Sequence, residues 1–263
     1  MTVNCAHRGA SSQAPENTFA AFALAIEQGA RMIELDVRLS SDGVPVVIHD
    51  QTLARTTDGQ GDVEATPASV LQAMDAGAWF DPAFRGECIP LLADIIGFVR
   101  SHGVLLDIEM KLGTEPFHGL CEAVAAVLEK TAFHDGCFVS SFHHEALDFL
   151  ARLDPRISIV RLYADAVPTE AQLRAVPSIA VHRLLVDAVL VNRVHAGGGR
   201  IHVWTVDDPA EMRRLVGVGV DTIMTNRPRV LQAVLDEMGV TPSTLEMGGT
   251  PSTLEGDGSP DRK

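Results

Sequence analysis

The chain has 263 residues, 46% hydrophobic and 21% charged, a composition that excludes disorder over its bulk and supports a substantial core. With 21 Lys and Arg against 35 Asp and Glu, the formal net charge is -14, a field that disfavours nucleic acid and anionic membranes as partners. No run approaches the ~18 apolar residues of a membrane span, and the N-terminus lacks the basic-then-apolar pattern of an export signal. The 4 cysteines, Cys5, Cys88, Cys121 and Cys137, are scattered with no Cys-x-x-Cys pair, which argues against zinc and disulfides. The expectation is a cytoplasmic protein.

In chain order, β-rich runs fall at Val3–His7, Met32–Leu39, Val104–Glu109, Cys137–Ser140, Ile157–Leu162, Ser178–His182, Arg200–Val206 and Asp221–Thr225. Amphipathic helical patterns separate them at Thr18–Gln28, Leu91–His102, Phe117–Lys130, His143–Leu153, Pro209–Val216 and Pro228–Glu237. Gly29 and Gly103 follow helix ends as left-handed stops. About eight such units in roughly 240 residues predict an α/β fold, a closed TIM (β/α)8 barrel, with a doubly wound open sheet as the alternative.

Val44–His49 interrupts the rhythm. It follows Met32–Leu39 after Ser40-Ser41-Asp42-Gly43, and Asp-Gly between two β-rich runs reads as a hairpin. A turn centred on Asp42 and Gly43 sets His49 opposite Asp36. Residues 51–90 carry no clear strand and read as a small insertion over the barrel mouth. Within it Thr66 and Pro67 are expected to open a helix that Gly77 ends, and Trp79 and Phe80 to pack in its core. The barrel domain is expected to span residues 1–240. Residues 241–263 repeat Thr-Pro-Ser-Thr-Leu-Glu amid Gly and Pro and are expected to be a disordered tail.

Barrel active sites sit at the C-terminal ends of the strands. Those ends carry His7 and Arg8, then Glu34 and Asp36, then His49, then Glu109 and Lys111. Strand alternation puts Glu34 and Asp36 on one face, and Glu109 and Lys111 on one face. Three carboxylates converging within ~5 Å repel by roughly 3 kcal/mol per pair at an effective dielectric of about 20. Protonation or a divalent cation must relieve this, unless salt bridges to Arg31 or Arg38 do. An all-oxygen set suits Mg2+, Ca2+ or Mn2+ rather than zinc. Two strand-end histidines suit paired general acid–base work, while Arg8 and Lys111 suit a phosphate. Trp204 is expected to line a pocket or pack at the rim. His102, His118, His134, His143, His144 and His195 read as solvated surface, with His182 the exception at a strand end.

The run His7-Arg8-Gly9, Pro15-Glu16-Asn17-Thr18, Glu34-Leu35-Asp36-Val37, His49-Asp50, Leu53-x-Arg55-Thr56-Thr57 and Glu109-x-Lys111 resembles the glycerophosphodiester phosphodiesterase family. Ser140-Ser141-Phe142, Val203-Trp204-Thr205-Val206 and Thr225-Asn226-Arg227-Pro228 extend the likeness to about residue 235. The resemblance implies hydrolysis of small-molecule glycerophosphodiesters, such as glycerophosphocholine and glycerophosphoethanolamine, to sn-glycerol 3-phosphate and an alcohol. By the same likeness, Glu34, Asp36 and Glu109 hold one divalent ion, His7 and His49 are acid and base in an order left open, and Arg8 and Lys111 contact the phosphate. Asn17 supports the ion or the His7 loop, Thr18 caps the next helix, and Glu16 braces the loop. Neither membrane insertion nor nucleic acid is implied, and self-association into a homo-oligomer is left open. Three positions depart from the family pattern: Asp107 and Asp207 stand where asparagine is usual, and Asn226 where aspartate is usual. Asp107 is expected to have a raised pKa. Competing readings are a lipid-directed phospholipase D of the sphingomyelinase type, a non-catalytic phosphodiester-binding barrel, and, more remotely, a metal-dependent barrel isomerase or aldolase.

Overall fold

Eight parallel strands close on themselves in the computed structural model, which describes residues 2–240 except Thr114, Glu115 and Pro177. The repeat-bearing tail, residues 241–263, lies outside the described residues. The ring runs through β1 (Val3–His7), β2 (Met32–Leu39), β4 (Leu105–Met110), β5 (Cys137–Ser141), β6 (Ile159–Tyr163), β7 (Ile179–His182), β8 (Ile201–Trp204) and β9 (Thr222–Thr225), and β9 pairs back onto β1. This is the expected TIM barrel. Helices α1 (Phe19–Glu27), α3 (Leu92–His102), α4 (His118–Thr131), α5 (His144–Leu153), α6 (Glu170–Ala175), α7 (Ala188–Ala196), α8 (Pro209–Val218) and α9 (Pro228–Glu237) connect the strands. Two of these, α6 and α7, have no counterpart among the expected helical patterns, although both carry start signals. Thr169 and Gln172 form a capping box before α6, and the Asp187 side chain accepts from Leu190 N at the start of α7.

Alternation divides each strand between two cores. Outward residues such as Ile33, Leu35, Leu106 and Ile108 pack beneath the helices, while Val3, Cys5, Met32, Phe138, Val160, Leu162, Ala180 and Met224 fill the barrel. The register then stacks the acids. His7 aligns with Glu34, Glu34 with Asp107, and Asp36 with Glu109. Parallel pairing brings these inward residues together above an apolar plug.

The hairpin forms, but one residue out of the expected register. Strand β3 (Pro45–Val47) pairs antiparallel to β2, with Val37 opposite Val47 and Leu39 opposite Pro45. Ile48 N then bonds Asp36 O at 3.0 Å, so Ile48, not His49, faces Asp36. The cause is the turn: Ser40 N bonds Val44 O, Gly43 N bonds Ser40 O, and Gly43 takes φ +78°. That is a three-residue loop with a left-handed third position rather than a two-residue turn. His49 leaves the strand and reaches the rim from just beyond it.

The insertion also differs in detail. Helix α2 covers only Ala68–Leu71, and Thr66 does not cap it; its hydroxyl bonds Asp62 O instead. The cap is Asp42 from the hairpin turn, whose Oδ1 accepts from Ala68 N at 2.9 Å. Gly77 lies beyond the helix, where an added side-chain carbon would fall 1.9 Å from Phe84 O. Trp79 is exposed, not packed in the insertion's core, and its ring meets Phe80 edge-on. Among the described residues, no helix is long and apolar enough to cross a membrane.

Candidate active site

A cavity of about 220 Å3 opens at the C-terminal end of the barrel, lined by His7, Arg8, Glu34, His49, Asp107, Glu109, Lys111, Ser140, Phe142, Trp204 and neighbours. Beneath and beside it, Glu34, Asp36 and Glu109 each offer a carboxylate oxygen within 4.8 Å of the others. All three are buried. The structure thus gathers the three acids, both histidines, Arg8, Lys111 and Trp204 at one mouth, with Asn17 directly below.

Two cations clamp the central acid, and they are not Arg31 or Arg38. Arg8 Nε lies 3.0 Å from Asp36 Oδ2, and Lys111 Nζ lies 3.2 Å from Asp36 Oδ1 and 2.5 Å from Glu109 Oε1. Although burial opposes ionisation, Arg8 and Lys111 hold the Asp36 carboxyl well below its ordinary value, helped by the Asn17 amide, which donates to Oδ2 at 2.8 Å. Burial and the Asp36 charge push Glu34 up to about 8 and Glu109 up to about 7. Without further positive charge the cluster therefore retains protons. Asp107 is fully buried, and burial with the Glu34 charge raises its pKa as expected; its Oδ1 accepts from Ser140 Oγ at 2.5 Å. Glu34 Oε1 is buried with no hydrogen-bond partner, which leaves a lone pair aimed at the site unsatisfied.

Two strained loop residues aim these groups. Arg8 and Asn17 adopt left-handed backbone, with φ of 56° and 60°, a conformation rare for residues other than glycine. It lets Arg8 N donate to Glu34 Oε2 at 2.9 Å while its side chain turns toward Asp36. Thr18 caps α1 as expected, accepting from Ala21 N.

Each histidine is anchored through Nδ1. His49 Nδ1 lies 2.7 Å from Asp50 Oδ1. Asp50 accepts from Arg55 Nε at 2.5 Å, and Arg55 bonds both Glu16 oxygens at 2.8 Å. Glu16 also receives Arg8 NH1 at 3.0 Å, so it bridges the two histidine loops rather than merely bracing one. Arg38 Nε bonds the His49 carbonyl at 2.8 Å. On the other side, His7 Nδ1 lies 2.7 Å from Asn226 Oδ1. Asn226 Nδ2 donates to Asp207 Oδ2 at 2.7 Å, which fixes the amide so that its oxygen must accept from His7. Burial, reinforced by Arg8, lowers the pKa of both histidines.

The sequence assigned no role to this second ring: Arg55 entered only as a motif member, Asp207 and Asn226 only as departures from the family pattern, and Ser11, whose Oγ donates to Asn226 Oδ1 at 2.8 Å, not at all. The fully buried His202 inside the barrel was also missed. Of the histidines expected on the surface, His134 is instead half-buried on Asp154 at 3.0 Å, and His144 bonds Leu162 O. Glu129, His134 and Asp154 form a second group close enough for a cation, but Arg156 already pairs with both acids there. His182 packs edge-on against Trp204 with centroids 5.3 Å apart.

Residues 7–230 match the model of the glycerophosphoryl diester phosphodiesterase family. A glycerophosphodiester phosphodiesterase of Caldanaerobacter subterraneus is 36% identical over 234 residues, covering 88% of this chain and 96% of that protein. One from Bacillus altitudinis is 33% identical over 90% of this chain and all of its own length. Among solved structures, an Oleispira antarctica phosphodiesterase in complex with its product sn-glycerol 3-phosphate has a TM-score of 0.83 at 33% identity, covering 88% of this chain and 96% of that one. A glycerophosphodiester phosphodiesterase from Agrobacterium tumefaciens has a TM-score of 0.77 at 34% identity, covering 89% of this chain and all of its own. On the match of its sequence, its barrel and the order of its motifs, the chain belongs to the glycerophosphoryl diester phosphodiesterase family, whose members are phosphoric diester hydrolases.

Proposed function

We propose that the protein is a metal-dependent glycerophosphodiester phosphodiesterase that releases sn-glycerol 3-phosphate and an alcohol. The observation that carries this reading is the buried trio Glu34, Asp36 and Glu109, roofed by Arg8 and Lys111 and flanked by two anchored histidines. The trio suits a hard divalent ion: it offers only oxygen donors, Glu34 Oε1 has no partner, and burial together with the Asp36 charge raises the pKa of Glu34 and Glu109, a cost that a bound cation would relieve. When bound, such an ion supplies the positive charge that polarises a phosphoryl oxygen.

The chain's own residues supply the rest. Arg8 and Lys111 hold the phosphate through guanidinium and ammonium donors. With Nδ1–H committed to Asn226, neutral His7 presents an Nε2 lone pair and takes a proton from the attacking water, or from the substrate's own glycerol hydroxyl with water then opening the cyclic ester. Asp36 and the Asp50 carboxylate work against the burial that lowers the His49 pKa and favour its imidazolium form, and that form delivers its Nε2 proton to the departing alkoxide. Trp204 walls the glycerol end of the pocket. Cys5, Cys88, Cys121 and Cys137 are all free, which supports a reducing, cytoplasmic setting.

The test is release of sn-glycerol 3-phosphate from glycerophosphocholine and glycerophosphoethanolamine, first in excess chelator and then with Mg2+, Ca2+ or Mn2+ restored. No turnover is expected in chelator, with recovery on adding an ion. His7→Ala or His49→Ala is expected to lose at least about a thousandfold, or ~4 kcal/mol at the barrier. Full activity in chelator would sink the metal-dependent reading.

A further inference from the structure

We propose that Arg55, carried in by the insertion, is a positioning residue that holds the proton donor His49 and the phosphate clamp Arg8 in one fixed arrangement. This rests on the phosphodiesterase reading above and extends its machinery to a side chain that does not line the catalytic cavity. The guanidinium uses three nitrogens on two carboxylates. Nε and NH2 bond the two oxygens of Asp50 at 2.5 and 3.0 Å, while NH1 and NH2 bond the two oxygens of Glu16 at 2.8 Å each. Behind Asp50 stands His49 Nδ1 at 2.7 Å, and behind Glu16 stands Arg8 NH1 at 3.0 Å. One planar fork therefore closes a continuous chain from the acid to the phosphate site.

An exposed ion pair by itself contributes little, and the Arg55 side chain is 43% exposed. Three observations set it apart from an ordinary surface arginine. The turn that carries it is tied down: Leu53 is fully buried, Leu53 N bonds Gly61 O at 3.0 Å, and Thr57 Oγ1 donates to Leu53 O at 2.7 Å. Its two partners are less exposed than it is, Glu16 at 14% and Asp50 at 25%. Its bonds also complete the restraint on His49. Arg38 Nε already fixes the His49 carbonyl, so the freedom left lies in the imidazole and in the Asp50 carboxylate that orients it. Arg55 pins both oxygens of that carboxylate and holds its pKa down to about 2, so the ring meets an ionised acceptor in one plane. On the other side Arg8, on left-handed backbone, gains from Glu16 a second anchor besides Asp36. Removing the guanidinium leaves the Asp50 and Glu16 carboxylates without the charge that joins them and frees both side chains to turn.

The experiment measures kcat and KM in the cation-loaded full chain, in Arg55→Ala and in Arg55→Lys. Two diesters are compared: glycerophosphoethanolamine, whose alkoxide must be protonated as it leaves, and the 4-nitrophenyl diester of glycerol 3-phosphate, whose phenolate departs without a proton. Arg55→Ala is expected to lose about a hundredfold in kcat on the first, with KM within about threefold, and less than about tenfold on the second, as a displaced proton donor requires. Guanidinium ion added to Arg55→Ala should restore part of the loss on glycerophosphoethanolamine, and should restore none in Asp50→Asn. Arg55→Lys, which keeps the charge but cannot span both carboxylates, should fall between parent and Arg55→Ala. An equal loss on both diesters, a loss confined to KM, or no loss overturns the positioning role while leaving the phosphodiesterase reading intact. A parent that hydrolyses neither diester overturns both.

Discussion

Asp207 and Asn226 show how two departures from a family pattern cancel. Each stands where the other residue type is usual, yet the pair still offers one amide and one carboxylate, joined at 2.7 Å, with Asn226 Oδ1 turned to His7. Asn226→Asp alone puts a second carboxylate against Asp207, and Asp207→Asn alone removes the acceptor that orients the amide. Each single change is expected to lower kcat about tenfold to a hundredfold, some 1.4–2.7 kcal/mol, with little change in KM, and the double exchange to recover most of the loss. A double variant no better than the worse single one would show that the pair does not act through His7. The sequence marked both positions as anomalies. It could not show that they touch, because they come together only when the loops after β8 and β9 lie side by side.

At the level of elements, the turn after β1 decides where Arg8 points. Gly9 sits at φ +85°, and a side-chain carbon there would lie 2.7 Å from the backbone carbon of Ala21 in α1. Only glycine lets the loop rest on the first turn of that helix. Gly9→Ala combines left-handed strain with overpacking against backbone, and is expected to cost about 2–4 kcal/mol in urea denaturation and to reduce phosphate binding as Arg8 shifts. A cost below about 1 kcal/mol with unchanged KM would contradict this account. The hairpin makes the same point about close approach. Its Asp-Gly signal was legible, but a two-residue and a three-residue loop share that signal, and one residue of register decides which side chain faces Asp36. The tertiary contact through Asp42, which caps α2, goes with the three-residue form.

Across the whole molecule, burial within the barrel sets the response to acid. His202 is fully buried beside Phe138 with Nδ1 unpartnered, and burial lowers its pKa from 6.5 to about 4. The unfolded chain therefore takes up a proton near pH 6.5 that the folded chain refuses until about pH 4. Stability from this group is present above pH 6.5 and declines as pH falls to about 4, by about 3 kcal/mol in total. The raised values of Glu34 and Glu109 act with the opposite sign: the metal-free folded state binds protons that the unfolded chain has released, so its stability falls as pH rises from about 4.5 to about 7 to 8. Both acids cancel in a comparison of parent with His202→Leu. That variant is expected to lose the acid decline between pH 6.5 and 4, measured by urea denaturation in chelator. Parallel curves for the two proteins would show that His202 is not held neutral.

Strand alternation and the repeat of strand and helix were enough to read the barrel, because hydrophobic periodicity is a local property of the chain. The same alternation put Glu34 with Asp36, and Glu109 with Lys111, on shared faces, and motif order linked them to His7, Arg8 and His49. Which cation pairs with which acid, the tethers at each Nδ1, the hairpin register and the burial of His202 were beyond it. These depend on distances between residues far apart in the chain, down to 2.5 Å between Lys111 and Glu109 and 2.7 Å between His7 and Asn226. Closure of the ring, by pairing β9 with β1, is what creates such distances.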